Sequence, residues 1–120
     1  MTNCQRIVEQ VCRFPLDMRQ AGISPNQWVR KINLTAHKGC ISSDAIVSCL
    51  RAQPELVEQW LAWSDDKRWS PAWYFYRDGD HYVVGHYPNG EDEHFTDRFL
   101  ACTQFVVHDM EHLLTLYLGI

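Results

Sequence analysis

The chain has 120 residues, 46% of them hydrophobic, and a formal net charge of −4, enough for a single domain over residues 1–120 that buries a core without staples. No apolar run approaches the roughly 18 residues of a membrane span, and the opening MTNCQRIVEQ lacks the apolar centre of a signal peptide, so a soluble cytoplasmic protein is expected. Residues 1–60 carry seven Lys or Arg against five Asp or Glu, and residues 61–120 four against ten, so the halves stand at +2 and −6; an acidic half argues against direct nucleic-acid binding, which needs basic side chains to displace counterions.

The first predicted helix runs from about Asn3 to Arg13, because Cys4, Ile7, Val8, Val11 and Cys12 follow the spacing of one buried helical face. Pro15 ends it, and a short helical segment follows from Pro15 to Ala21, stopped by Gly22. Ser24-Pro25-Asn26-Gln27 then offers a capping serine, a proline at the first helical position and a glutamine three residues after the cap. Trp28, Val29, Ile32 and Ala36 form the apolar stripe of that helix, with Gly39 as its C-terminal stop. Ser42 or Ser43 caps the next helix, Asp44 to Ala52, with Ile46, Val47, Cys49 and Leu50 inward. Pro54 opens another, to about Asp66, with Leu56, Val57, Trp60, Leu61 and Trp63 on its apolar face and Glu55 in its first turn complementing the helix dipole. Residues 64–72 form a polar loop in which Trp69 reads as a lid over the core or as an anchor for a partner.

Residues 73–95 carry the strands. Asp78-Gly79 and Asn89-Gly90 are two-residue turn signals, so the stretch reads as a three-stranded antiparallel meander. Centring the first turn on Asp78-Gly79 sets Phe75 opposite Tyr82 and Trp73 opposite Val84; centring the second on Asn89-Gly90 sets His86 opposite Glu93 and Val84 opposite Phe95. Both registers put Trp73, Phe75, Tyr82, Val84 and Phe95 on one face, the core side. Tyr74, Tyr76, His81, Val83, Tyr87, Asp92 and His94 take the other. Thr96 or Asp97 caps a final helix, Arg98 to about Leu118, whose Phe99, Cys102, Val106, Met110, Leu113 and Tyr117 form a stripe widened by Leu100, Val107 and Leu114. The fold class is α+β: a helix-rich N-terminal half, the meander, and a long C-terminal helix across the sheet.

The chemistry-bearing residues point away from catalysis. Five cysteines with no C-x-x-C pair suggest neither a zinc ribbon nor a disulfide framework, and they read as reduced, buried thiols. His108-Asp109-Met110-Glu111-His112 matches the H-x-x-E-H pattern of inverted zinc metallopeptidases, since histidines four apart share a helix face. Only eight residues follow His112, where such enzymes draw a third ligand from far downstream, and the helical wheel sets both histidines on the polar side with Gln104 and Thr115. The pattern therefore reads as a solvated helix face, and neither metal nor cofactor is expected. No phosphate loop, nucleophile elbow or paired catalytic carboxylates occur, so the expectation is a non-enzyme.

Trp73-Tyr74-Phe75, Tyr82-Val83-Val84-Gly85-His86-Tyr87, Phe95-Thr96-Asp97, Ala101-Cys102, Phe105-Val106 and Glu111 give roughly Trp73 to Leu114 a pattern that resembles small bacterial immunity proteins of polymorphic and contact-dependent growth-inhibition toxin systems. The resemblance implies a cytoplasmic protein that binds its cognate toxin domain and blocks its active site or substrate entry. Those toxins are often nucleases with a basic face, which an acidic surface suits. The partner-binding residues expected are Asp78, Asp80, Glu91, Asp92 and Glu93, with Tyr74, Tyr76 and Tyr87 as aromatic anchors. The alternative is a small regulatory or ligand-binding domain that uses the same tyrosine-rich face.

Overall fold

The computed structural model describes residues 2–66, 72–87 and 90–118, with the side chains of Tyr117 and Leu118 outside that description. Trp69 and Asn89, given roles above, fall outside the described residues. Among the described residues six helices precede the sheet: α1 Asn3–Cys12, α2 Phe14–Ala21, α3 Pro25–Lys31, α4 Leu34–His37, α5 Ser43–Ala52 and α6 Glu55–Asp66, with a 3₁₀ turn at Lys38–Cys40 after α4. Strands β1 Ala72–Asp78, β2 His81–Tyr87 and β3 Glu93–Phe95 follow in antiparallel order β1-β2-β3, and α7 Arg98–Leu118 ends the chain. The α+β class and the meander-plus-helix arrangement are as the sequence predicts.

Local capping explains most of the helix starts. Ser24 accepts from the Gln27 backbone N–H while the Gln27 side chain accepts from Ser24, closing the expected capping box. Thr2 and Gln5 do the same for α1, and Ser42 Oγ accepts from the Ala45 N–H at 3.2 Å. The third helix is shorter than predicted. Asn33, in the left-handed region at φ 55°, breaks the backbone between α3 and α4, so Ala36 is exposed and Gly39 sits within the 3₁₀ turn instead of closing a helix.

α7 packs against β1 and β2 on one side and against α3, α5 and α6 on the other, which makes it the central element. Cys102, Val106, Met110 and Leu113 are buried along it as predicted, but so are Ala101 and Phe105, while Leu100 is 47% exposed and does not widen the stripe. Phe75 and Val84 are buried beneath it, and Trp73, Tyr82 and Phe95 pack partly buried against the same core. Trp60, fully buried, donates its Nε1–H to the Cys12 carbonyl at 2.9 Å and stands edge-on to Phe105, tying α1, α6 and α7 together. Asp97 caps α7 by accepting from the Phe99 N–H at 2.8 Å, and Arg51 of α5 reaches the same carboxylate at 2.8 Å.

The register differs from the predicted one. β1 and β2 pair Phe75 with Val84, Tyr76 with Val83 and Asp78 with His81, which makes Gly79 and Asp80 the turn residues. Gly79 has φ +63° and Asp80 does not share the positive sign, so the left-handed conformation falls on glycine alone, the pattern of a II′ turn. β3 pairs Tyr82 with Phe95 and Val84 with Glu93. Each pairing is displaced by two residues from the expected one. Because side chains alternate with a period of two, a displacement of two leaves every residue on its predicted face, whereas a displacement of one would have inverted the sheet.

The cysteine expectation is corrected. Cys12 and Cys102 are buried thiols, but Cys4 is exposed and bonded to Cys40, with Cα atoms 5.2 Å apart. Cys4 lies one turn N-terminal to Val8 at the end of the α1 stripe, where the core has run out and the 3₁₀ turn brings Cys40 alongside. Disulfides of this kind persist in oxidising surroundings, so the bond lends no support to a cytoplasmic setting. No helix among the described residues is long and apolar enough to cross a membrane.

Candidate protein-binding face

The outer face of the meander turns away from α7 and carries the even-numbered residues of β1 and β3 with the odd-numbered residues of β2. At its centre the Tyr74 phenol lies across Gly85 and donates to the Asp92 carboxylate. A Cβ at position 85 would fall within 3.0 Å of both groups, so a glycine in mid-strand is what lets the ring lie down on the sheet. The hydrogen bond to Asp92, with smaller contributions from burial and from the charge itself, pushes the Tyr74 phenol up to about 12. Tyr74 is thereby held as a neutral, oriented aromatic platform.

Tyr76 continues the platform, its ring 6.0 Å from that of Tyr74 and 41% exposed. Tyr87, at the far end of β2, is 61% exposed. Toward the β1–β2 turn the rings of His81 and His94 sit 5.1 Å apart, with His81 Nδ1 3.3 Å from Asp80 and Nε2 3.6 Å from Asp78. Val83, expected on this surface, is fully buried between its register partners Tyr76 and His94 and contributes no contact area. The result is a strip of aromatic and imidazole rings with Asp78 and Asp80 at one end and Asp92 at its centre.

The structure divides the predicted acidic residues. Asp78, Asp80 and Asp92 belong to the outer face or its turn, together with Tyr74, Tyr76 and Tyr87. Glu93 pairs with Val84 and so points to the other side of the sheet. There it lines a cleft of about 220 Å³ with Glu91, Gly90, His86 and Trp73. His86 and Glu93 thus share a cleft but are not the cross-strand pair predicted, because His86 pairs with Trp73 on β1 and β3 reaches only as far as Val84.

The H-x-x-E-H segment is not the solvated face expected. His108 stacks on Trp73 with ring centroids 3.8 Å apart and planes 7° from parallel, and the Gln104 amide meets its Nε2 at 2.8 Å. Asp109 is fully buried and accepts from the Trp63 indole N–H at 3.0 Å. His112 is half-buried, and within the segment Glu111 is the residue that is plainly exposed. The segment packs α7 against β1 and α6 through tryptophan contacts. Among the described residues no group of three or more His, Cys, Asp or Glu is placed to hold a metal ion.

Sequence reasoning missed the role of Gly85 and the Trp73–His108 stack. An isolated glycine within a strand is itself a signal of close approach, and it could have pointed to Tyr74. The stack carries no such signal, since it joins residues 35 positions apart. No family model, curated protein or solved structure matches this chain.

Proposed function

We propose that the protein acts by binding, not catalysis, and that the outer face of the meander docks a basic protein partner. What carries the reading is the exposed, pre-oriented tyrosine strip flanked by Asp78 and Asp80. Aromatic side chains held rigid in the free protein lose little entropy on binding and supply apolar contact, while rim carboxylates steer a positively charged partner. Following the resemblance of residues 73–114, the partner is a toxin domain with a basic substrate-binding surface, a nuclease in the first instance, and the protein is its immunity factor. Asp92 serves mainly to orient Tyr74, and Glu91 and Glu93 lie outside the contact because they face the opposite side of the sheet.

The test is to express any basic toxin domain encoded by a gene adjacent to this one and to measure its binding at low and high salt. Asp78→Lys with Asp80→Lys is expected to slow association and flatten its salt dependence, and Tyr76→Ala or Tyr87→Ala to speed dissociation by the equivalent of about 2 kcal/mol at a true anchor. Glu91→Lys with Glu93→Lys is the matched control and is expected to change association less. Undiminished binding by the Asp78/Asp80 double variant at both salt concentrations, with an unchanged thermal melt, refutes the assignment of the face.

A further inference from the structure

Across α7 from the sheet, α5 shows its neighbours two different faces. Its large apolar residues, Ile46 and Leu50, are fully buried in the core. Toward α1 it presents Ala45, Ser48, Cys49 and Ala52, which recur at the three- and four-residue steps of one helical face and are all small. Opposite them α1 offers Val8 and Glu9. Side chains this short do not fill the gap between the two helices, and a cavity of about 660 Å³ is left there. The Cys4–Cys40 disulfide lies in its wall, with Cα atoms 5.2 Å apart, so a covalent link between the first turn of α1 and the 3₁₀ turn holds one end of the trough.

The lining selects a ligand by size, by polarity and by charge. Small-molecule sites measure roughly 300 to 1,000 Å³; this cavity falls inside that range, whereas the cleft beside Trp73 and Glu93, at about 220 Å³, falls below it. Buried Val8, half-buried Cys49, the two alanines and the disulfide give it a largely apolar surface. Glu9 is half-buried and forms no ion pair, and among the described residues no Lys, Arg or His lines the cavity. Gln53 turns its Nε2 to the Cys49 sulfur at 3.9 Å, which leaves its carbonyl oxygen as an acceptor beside the Ser48 hydroxyl. The polar part of the lining thus offers acceptors and one negative charge, the complement of an ammonium group with its three N–H donors.

We infer that the cavity between α1 and α5 binds a small molecule with an apolar body and a cationic, hydrogen-bond-donating end, of which a primary alkyl amine is the simplest example. The body covers Val8 and the small-residue face of α5, and the ammonium meets the Glu9 carboxylate. Removal of apolar surface from water drives entry. The carboxylate, partly withdrawn from water, adds preference for a cation more than it adds affinity, and it repels an anionic ligand with the same body. The disulfide and the burial of α5 in the core fix both walls before the ligand arrives, so little ordering is required on binding. This site is separate from the outer face of the meander and stands independently of the docking proposed there.

The experiment titrates the full chain, with Cys4–Cys40 intact, with hexylamine, hexanol and hexanoate at neutral pH and low salt, followed by amide NMR shifts. Hexylamine is expected to give saturable shifts at Val8, Glu9, Ser48 and Cys49, with half-saturation at about 1 mM or below. Hexanol should bind at the same residues about two- to fivefold more weakly, and hexanoate more weakly still. Glu9→Gln is expected to bring the amine to the level of the alcohol, while Asp44→Asn, an acid of α5 outside the lining, leaves the preference unchanged. Ser48→Leu, at an exposed position, fills the trough and should abolish binding of all three. The inference is overturned by the absence of saturable shifts along α1 and α5, by shifts that map to another cleft, by hexanoate binding as well as hexylamine, or by an amine preference that survives Glu9→Gln. Should Ser48→Leu not fold, the Glu9→Gln comparison decides, because Glu9 forms no ion pair whose loss would unfold the chain.

Discussion

Truncating Phe75 to alanine probes the contact between sheet and helix on which the whole arrangement rests. Phe75 is fully buried, its ring 5.6 Å from that of Phe105 and 6.0 Å from that of Tyr82. Phe105 is itself fully buried and held by Trp60, so the wall of the vacated space cannot collapse easily. The loss of a buried phenyl group with little relaxation costs about 3 to 5 kcal/mol. An unfolding entropy of about 2.1 cal/mol/K per residue gives roughly 0.25 kcal/mol/K for this chain, so the melting temperature should fall by about 12 to 20 °C. A domain of this length holds on the order of 6 to 18 kcal/mol, and the variant should still fold at low temperature. Urea unfolding followed by circular dichroism, with an unchanged denaturant slope, measures the cost directly. A value below about 1 kcal/mol refutes the reasoning, because it would mean that the strand is displaced by one residue and Phe75 faces water. A displacement by two buries the same face, so cross-strand NOEs between Tyr76 and Val83, in place of Tyr76 and His81, are needed to distinguish it.

Three further expectations follow from the described contacts. In a spectrophotometric titration Tyr74 should ionise near 12, above the ordinary value of 10; because the folded value is raised, its contribution to stability is complete below pH 10 and lost as pH climbs through 12, and both Tyr74→Phe and Gly85→Ala should remove that step. At Asp97 burial acts to raise the carboxyl, but the Arg51 guanidinium and the Phe99 and Leu100 amides outweigh it and hold it below the ordinary 3.8; its stabilisation is therefore present above pH 3.8 and lost as pH falls through the folded value, so thermal melts of Asp97→Asn should depend less on pH along this acid limb. His108→Ala should cost about 1 to 2 kcal/mol, more than a solvated histidine would, because it removes the ring stacked on Trp73; a chemical-denaturation cost under about 0.5 kcal/mol would place that stack outside the folded state in solution.

What the sequence determined by itself was local or periodic. The Ser24–Gln27 capping box, Pro25 at the start of α3 and the caps at Ser42 and Asp97 need only residues a few positions apart, and all are present. The two faces of the meander follow from alternation alone, which is why they survive a register displaced by two residues. Asn33 was less legible, since a left-handed asparagine interrupts an apolar stripe that otherwise continues. The tertiary structure decided everything that depends on residues far apart in the chain. It closed Cys4 onto Cys40, stacked His108 on Trp73, buried Asp109 against Trp63, and sent Glu91 and Glu93 to the opposite side of the sheet from Asp92. Helical position alone set the histidines on a polar arc, and nearness in sequence set the carboxylates of the meander in one acidic cluster, but whether a polar arc meets water or a tryptophan is settled only when another element packs against it.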